Sequence, residues 1–224
     1  FAFMSLRVWS ITLLGSEEFR EIIEHFKDFE KFSPVPFTQL ITYTGRVART
    51  FNEPIVLFII LIWTISRGSD AVAGQINRGT IEMVLGNPVS RAKVYWSQFL
   101  VTTTGTLLLS TLAWLGMVFS VYQNNVEEMV KPPSISVPYL PIEIPLSTAE
   151  PEIIQKPMSE FVNVWDFIPA LTIIFAMGLF VAGFATMVSS FDRVRWRAVG
   201  IAVGFVIAQQ TMRILAISKP EFNY

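Results

Sequence analysis

Arg78-Gly79-Thr80-Ile81-Glu82-Met83-Val84-Leu85-Gly86-Asn87-Pro88-Val89-Ser90-Arg91 lies between two strongly apolar regions of the chain. The stretch is too polar at its ends to sit in lipid and too apolar at its centre to be a plain loop. Thr80 is a good N-cap, and Gly79 before it lets the chain turn. Ile81, Val84 and Leu85 share one helical face, with Met83 at its border. Glu82 falls in the first turn, where a negative charge suits the helix dipole. Gly86 suits a left-handed cap, and Pro88 forbids continuation. Ser90 then caps the next helix, which runs through RAKVYWSQFL. The signals predict a helix of about two turns between two apolar segments. So short a helix is not stable alone in water, so its apolar face must pack on something. Either it lies against its own bundle, or it docks into another protein and transmits movement to the flanking segments.

The flanks set the class. The 224-residue chain is 52% hydrophobic and only 16% charged, with a mean hydropathy of +0.49, whereas a soluble domain carries about 25% charged residues. A membrane-crossing helix needs roughly 20 mostly apolar residues. Residues 53–73, with the core PIVLFIILIWTIS, meet that requirement or nearly do, as do 94–122, 167–189 and 198–217. Residues 1–15 read as a partial span. With the start at Phe1 rather than Met, they suggest an excerpt of a longer protein. The expectation is an all-α polytopic membrane protein, residues 1–224 forming a single transmembrane domain with about five spanning helices visible.

Sidedness follows from Lys and Arg in the connections. Arg67, Arg78, Arg91 and Lys93 surround one connection, and Arg193, Arg195 and Arg197 another. The longer stretch 123–165 holds only Lys131 and Lys156. Residues 74–93 and 190–197 are therefore expected on the cytoplasmic side, and 123–165 outside; 16–52 carries Arg20, Lys27, Lys31, Arg46 and Arg49 among several acids, and alternation of the spans puts it outside. In the first external segment, Phe19, Ile22, Ile23, Phe26 and Phe29 repeat at helical steps over 16–32, with Ser16 as cap. That helix either packs on neighbouring protein or lies on the outer membrane surface. In the second, seven prolines in the 26 residues 132–157 forbid a long helix and discourage central strands. An extended, irregular excursion over 124–163 is expected. It caps an exit path or contacts an extracytoplasmic partner, or it is an elaborated linker.

The composition also excludes. A net charge of −1 argues against a nucleic-acid partner. With no cysteine and only His25, thiolate and multi-histidine metal sites are out, so no metal site is expected. The absence of Gly-x-x-x-x-Gly-Lys-Ser/Thr leaves no phosphate cradle of that kind. The acids Glu127 and Glu128 read as solvated charge in the external segment. Polar groups inside spans mark a candidate translocation path, because they are costly in lipid. Those groups are Thr103 and Thr106 in the third span and Gln209, Gln210 and Arg213 in the last. The alternative is that Arg213 snorkels to the surface and the glutamines bond neighbouring helices. Gly200 to Gly204 forms a small-residue face suited to close helix contact.

The run Gly79-Thr80-Ile81-Glu82-Met83-Val84-Leu85, followed by Pro88-Val89-Ser90-Arg91, resembles the first cytoplasmic loop of ABC transporter permease subunits of the type-2 exporter class. Those proteins carry Gly-Thr-Leu-Glu-Leu-Leu-Leu and then Pro-Val-Ser-Arg. Ser69 to Gly74 resembles the small-residue end of their second span, and Val188-Ser189-Ser190 the end of their fourth. Ile81 and Met83 replace the commoner leucines, and Gln75 stands near where that family often has an acid.

The resemblance implies six spans in the full chain, with the short helix as a coupling helix seated in a groove of a cytoplasmic ABC ATPase subunit. Thr80, Ile81, Glu82, Val84 and Leu85 would make that contact, with Glu82 the polar anchor. No cofactor is expected in this chain; ATP and Mg would sit on the partner ATPase. A second permease copy, or a homologous permease, would complete a path across the lipid bilayer of a prokaryotic inner (plasma) membrane. The chain is then a transport subunit rather than an enzyme. The competing reading is a non-transporting membrane anchor or scaffold subunit.

Overall fold

The apolar runs fold as helices because a chain in lipid must satisfy its backbone hydrogen bonds within each segment. The computed structural model describes residues 1–26, 37–86, 88–130, 134–136, 143–145 and 152–218. Among them, four helical stretches are long and apolar enough to cross a membrane: Tyr43–Asn77, Arg91–Gln123, Val164–Phe191 and Arg195–Ala216. These match the four expected full-length spans, and the fifth expected region forms the shorter apolar helix α1 (Ala2–Ile11).

The chain divides into two compact units. The first comprises mainly residues 48–116 and 165–224. It contains α5 (Pro54–Ser69), a π-helical turn (Asp70–Gly74), α6 (Gln75–Asn77) and α7 (Thr80–Leu85). Most of α8 (Arg91–Gln123), together with α9 (Ile168–Phe191) and α10 (Arg195–Ser218), completes it. Its tightest packing is α5 on α9. A Cβ placed on Gly68 would lie 2.6 Å from the Ala185 Cβ and 2.7 Å from the Ala182 carbonyl oxygen. One on Gly178 would lie 2.7 Å from the Thr106 methyl and 3.1 Å from that of Ile60. Small residues at these points let the backbones approach, which substitutes for the hydrophobic drive that lipid removes. Ile65, Val181, Ala185 and Ala202 form the buried centre, joining α5, α9 and α10.

Three of the hydroxyls that fleck the third span, those of Thr102, Thr106 and Ser110, are satisfied on their own helix. Thr106 Oγ1 donates to the Thr102 carbonyl at 2.7 Å, and Ser110 Oγ to that of Thr106 at 2.9 Å. Thr106 is fully buried and turns its methyl to Gly178. Its position is thus one of helix contact, and back-bonding of this kind removes the penalty for burying the hydroxyl.

The second unit comprises residues 2–47 and 117–164. It holds α1, α2 (Ser16–His25), α3 (Phe37–Ile41), most of α4 (Tyr43–Thr50) and the last turns of α8. Two antiparallel pairs of strands follow. In one, β1 (Asn125–Val130) pairs with β4 (Glu152–Pro157); in the other, β2 (Ser134–Ser136) pairs with β3 (Glu143–Pro145). The proline-rich segment is therefore an extended excursion, but its described parts are regular ladders rather than irregular chain. Pro145 and Pro157 sit at strand ends, and in a two-stranded ladder every strand is an edge, so prolines do not break pairing. Glu128 on β1 pairs with Lys156 on β4 at 2.6 Å, so this acid is not merely solvated. Tyr43 donates to the Glu127 carbonyl at 3.0 Å, and Thr44 to that of Phe161 at 3.0 Å. Arg46 is buried between the Phe19 and Tyr43 rings and donates to the Leu14 carbonyl at 2.9 Å.

Of the amphipathic face read over 16–32, α2 covers the part up to His25. Phe19 packs under Arg46, whereas Ile22 and Phe26 are exposed. Phe29 and the Ser16 side chain lie outside the described residues.

Candidate functional site

The segment joining α5 to α8 forms as a chain of short turns. α5 runs through apolar residues to Gly68-Ser69, and the backbone then widens into the π-turn Asp70–Gly74. Such turns leave a helix locally irregular and recur at functional sites. Ser189 on α9 holds this one. Its Oγ accepts from the Ala73 N–H at 2.8 Å and the Val72 N–H at 3.3 Å, and donates to the Ser69 carbonyl at 3.0 Å. Ser189 is fully buried. Ser189→Ala would strip a buried carbonyl and two N–H groups of a partner, at about 1–3 kcal/mol. A lower melting midpoint of the detergent-solubilised protein is the expected result.

Gly79 closes α6 and opens α7. It stands at φ 71°, ψ 5°, a left-handed conformation that costs glycine nothing and other residues more. Gly79 itself, not Thr80, occupies the N-cap position, and Thr80 Oγ1 donates instead to the Gln75 carbonyl at 3.3 Å. A second correction concerns Gly86, which stays right-handed at φ −72°, with its N–H on the Glu82 carbonyl at 2.9 Å. Of the two glycines that bracket the helix, Gly79 rather than Gly86 is left-handed. Ser90 caps α8 as expected: the Lys93 N–H donates to its Oγ at 3.3 Å.

The side chains of α7 divide. Ile81 is half-buried and lines a cavity of about 350 Å³ with Gln75, Val94, Tyr95 and Gln98. Glu82 is exposed, and Met83 is 75% exposed, the more open of the two apolar side chains of the helix among the described residues. Ile81 thus packs toward the chain's own helices, and Glu82 and Met83 face away. The side chains of Val84 and Leu85 lie outside the described residues.

The intramembrane candidates do not converge. Thr103 lines a cavity of about 320 Å³ with Gln98, Thr102, Thr186 and Ser190, and its hydroxyl oxygen is buried with no hydrogen-bond partner. Gln209, Gln210 and Arg213 are exposed on α10, and none of them lines that cavity.

Sequence reasoning missed a charged cluster at the π-turn. Arg78 binds Asp70 in a two-point fork, Nη1 to Oδ1 at 2.6 Å and Nη2 to Oδ2 at 3.0 Å. Arg195, in the first turn of α10, places Nε 3.7 Å from the same Oδ1 and donates from Nη2 to Ser66 Oγ at 3.1 Å. The bond to Asp70 raises the pKa of Arg78 above its already high ordinary value. Gly74 leaves room for the carboxylate, since a Cβ there would collide with Asp70 Oδ1. The signal was available: an acid at the end of an apolar run needs a named partner.

No curated protein and no solved structure matches the chain. The family model described as ABC-2 family transporter protein matches residues 10–219, nearly its whole length. With helices long and apolar enough to cross a membrane several times and a short helix joining two of them, the chain belongs to the ABC-2 family of transporter proteins and is a multi-pass membrane permease of an ABC transporter.

Proposed function

We propose that the permease works as the membrane half of an exporter driven by a separate ABC ATPase, which carries ATP and Mg. In this reading α7 is the coupling helix, and residues 74–93 and 190–197 face the cytoplasm of a prokaryotic inner membrane. The observation that carries it is the exposed pair Glu82 and Met83 on a short helix bracketed by two membrane helices. An apolar side chain left in water there gains by seating in a groove. Thr80 and Ile81 hold the helix to its own bundle, through the Gln75 carbonyl and the cavity that Ile81 lines.

Two copies, or one copy and a homologous permease, would enclose the path. Gly200 and Gly204 support close approach, because a Cβ at either would meet nothing within 4 Å. Thr103 and Thr106 are the candidate path residues of α8, and Gln209, Gln210 and Arg213 those of α10. The β1–β4 and β2–β3 ladders suit an extracytoplasmic contact.

The test is an affinity pull-down from native membranes with the detergent-solubilised chain as bait. Wild type should retain an ABC ATPase. Met83→Ala removes a side chain whose full burial stabilises by about 1.5–3 kcal/mol, so retention should fall about tenfold or more. If wild type retains no ATPase, the chain is a membrane anchor or scaffold subunit instead. Equal retention by wild type and variant would remove Met83 from the docking face.

A further inference from the structure

We infer that Asp70 is the positioning residue that fastens the coupling helix to two membrane helices at once. The mechanical role rests on the coupling reading above, whereas the fastening itself does not. Asp70 opens the π-turn at the end of α5. Arg78, immediately before the Gly79 corner of α7, grips its carboxylate at both oxygens. Arg195 approaches the same carboxylate from α10 and also bonds Ser66, four residues before Asp70 on α5. A displacement of α7 therefore reaches α5 and α10 together, through one carboxylate.

Three features fit this role better than simple stabilisation. The Arg78 side chain is 47% exposed, and ion pairs that open to water add only about 0–1 kcal/mol. What a two-point guanidinium fork does supply is orientation, since it fixes distance and angle together. Next, the surrounding backbone is built to keep the carboxylate in place. Gly74 vacates its volume, and Ser189 pins the N–H groups of the turn from α9. Finally, α7 has no side-chain cap of its own. Among the described residues, the Arg78 fork is the ion pair nearest to it. A π-turn yields more readily than an α-helix, so the fork bridges the place where the lever would otherwise flex.

The chain has no cysteine, so spin labels can be placed singly. Labels at Met83 and Trp196, both exposed, report the separation of α7 from the first turn of α10 in the purified full chain. Wild type should give a narrow distance distribution. Asp70→Asn and Gly74→Ala should each broaden it, with protein yield and melting midpoint unchanged. Arg78→Lys keeps the charge but cannot make the fork, and should broaden it as well. Distributions as narrow in the variants as in wild type would overturn the fastening. The complex retained in the pull-down then gives the mechanical readout. Asp70→Asn should still bind the ATPase but lose the stimulation of ATP turnover that wild-type permease confers. Full stimulation in the variant would remove the mechanical role. Broadening in the variants, with no ATPase bound even by wild type, would leave the fastening standing and overturn the coupling reading alone.

Discussion

Gly68→Leu should prevent α5 from seating on α9 and leave the first unit unable to reach its native packing. The Cβ alone would stand 2.6 Å from the Ala185 Cβ and 2.7 Å from the Ala182 backbone oxygen. One of those two neighbours is backbone, so no rotamer change clears the space, and the helices must separate. Overpacking of a tight contact costs about 1–3 kcal/mol even where neighbours adapt. Here the separation would also open the contact of Ile65 with Val181 and Ala185 and disturb the Ser189 bonds to the π-turn just beyond. The expected result is aggregation or a greatly lowered melting midpoint on size exclusion after detergent extraction. Gly183→Leu, on α9 itself, is the matched control, because Gly183 is exposed and nothing lies within 4 Å of a Cβ there. That variant should fold. If Gly68→Leu folds as well as Gly183→Leu, the close approach of α5 and α9 is not what holds the unit together.

The spans were readable because their signal is compositional. Long apolar runs interrupted by basic connections need no tertiary knowledge, and all four full-length spans follow from them. The short helix α7 was readable because Pro88 and Ser90 punctuate the chain by local chemistry. Its caps were not, because handedness at Gly79 and Gly86 depends on where the neighbouring turns lead. A π-turn has no periodic signature of its own: Asp70–Gly74 continues the residue pattern of α5 and differs only in backbone spacing. The Asp70 cluster joins residues 8 and 125 positions apart, a separation over which pattern reading has no reach. The strand pairing of the proline-rich segment was hidden for a related reason. Its alternation is short, and prolines count against strands unless an edge position is already known. Thr106 shows the reverse case. A hydroxyl in a span suggests a path, and its back-bond to Thr102 and its contact at Gly178 give it a packing role that the sequence did not show.

Glu82→Lys should leave the permease folded in the membrane and abolish its grip on the ATPase. Within α7 the change is small. Glu82 is exposed in the first turn, and reversing a charge near a helix N-terminus shifts stability by about 0.3–1 kcal/mol at the surface. Across the docking groove proposed above it is large. Losing one member of a desolvated, hydrogen-bonded charge pair costs about 2–5 kcal/mol, a fall in affinity of some thirtyfold to several thousandfold. Lysine adds repulsion from whatever donors the groove presents to a carboxylate. Glu82→Gln keeps the shape and an acceptor oxygen but drops the charge, so it should fall between the two. The measurement is ATP turnover by the partner ATPase titrated with purified permease in lipid. Wild type should raise the rate to saturation, Glu82→Gln should need more permease to reach it, and Glu82→Lys should stay at the rate of the ATPase alone. The order separates anchoring from bulk packing. If Glu82→Lys saturates like wild type while Met83→Ala does not, the groove reads only the apolar side of α7, and Glu82 serves the helix dipole and nothing further.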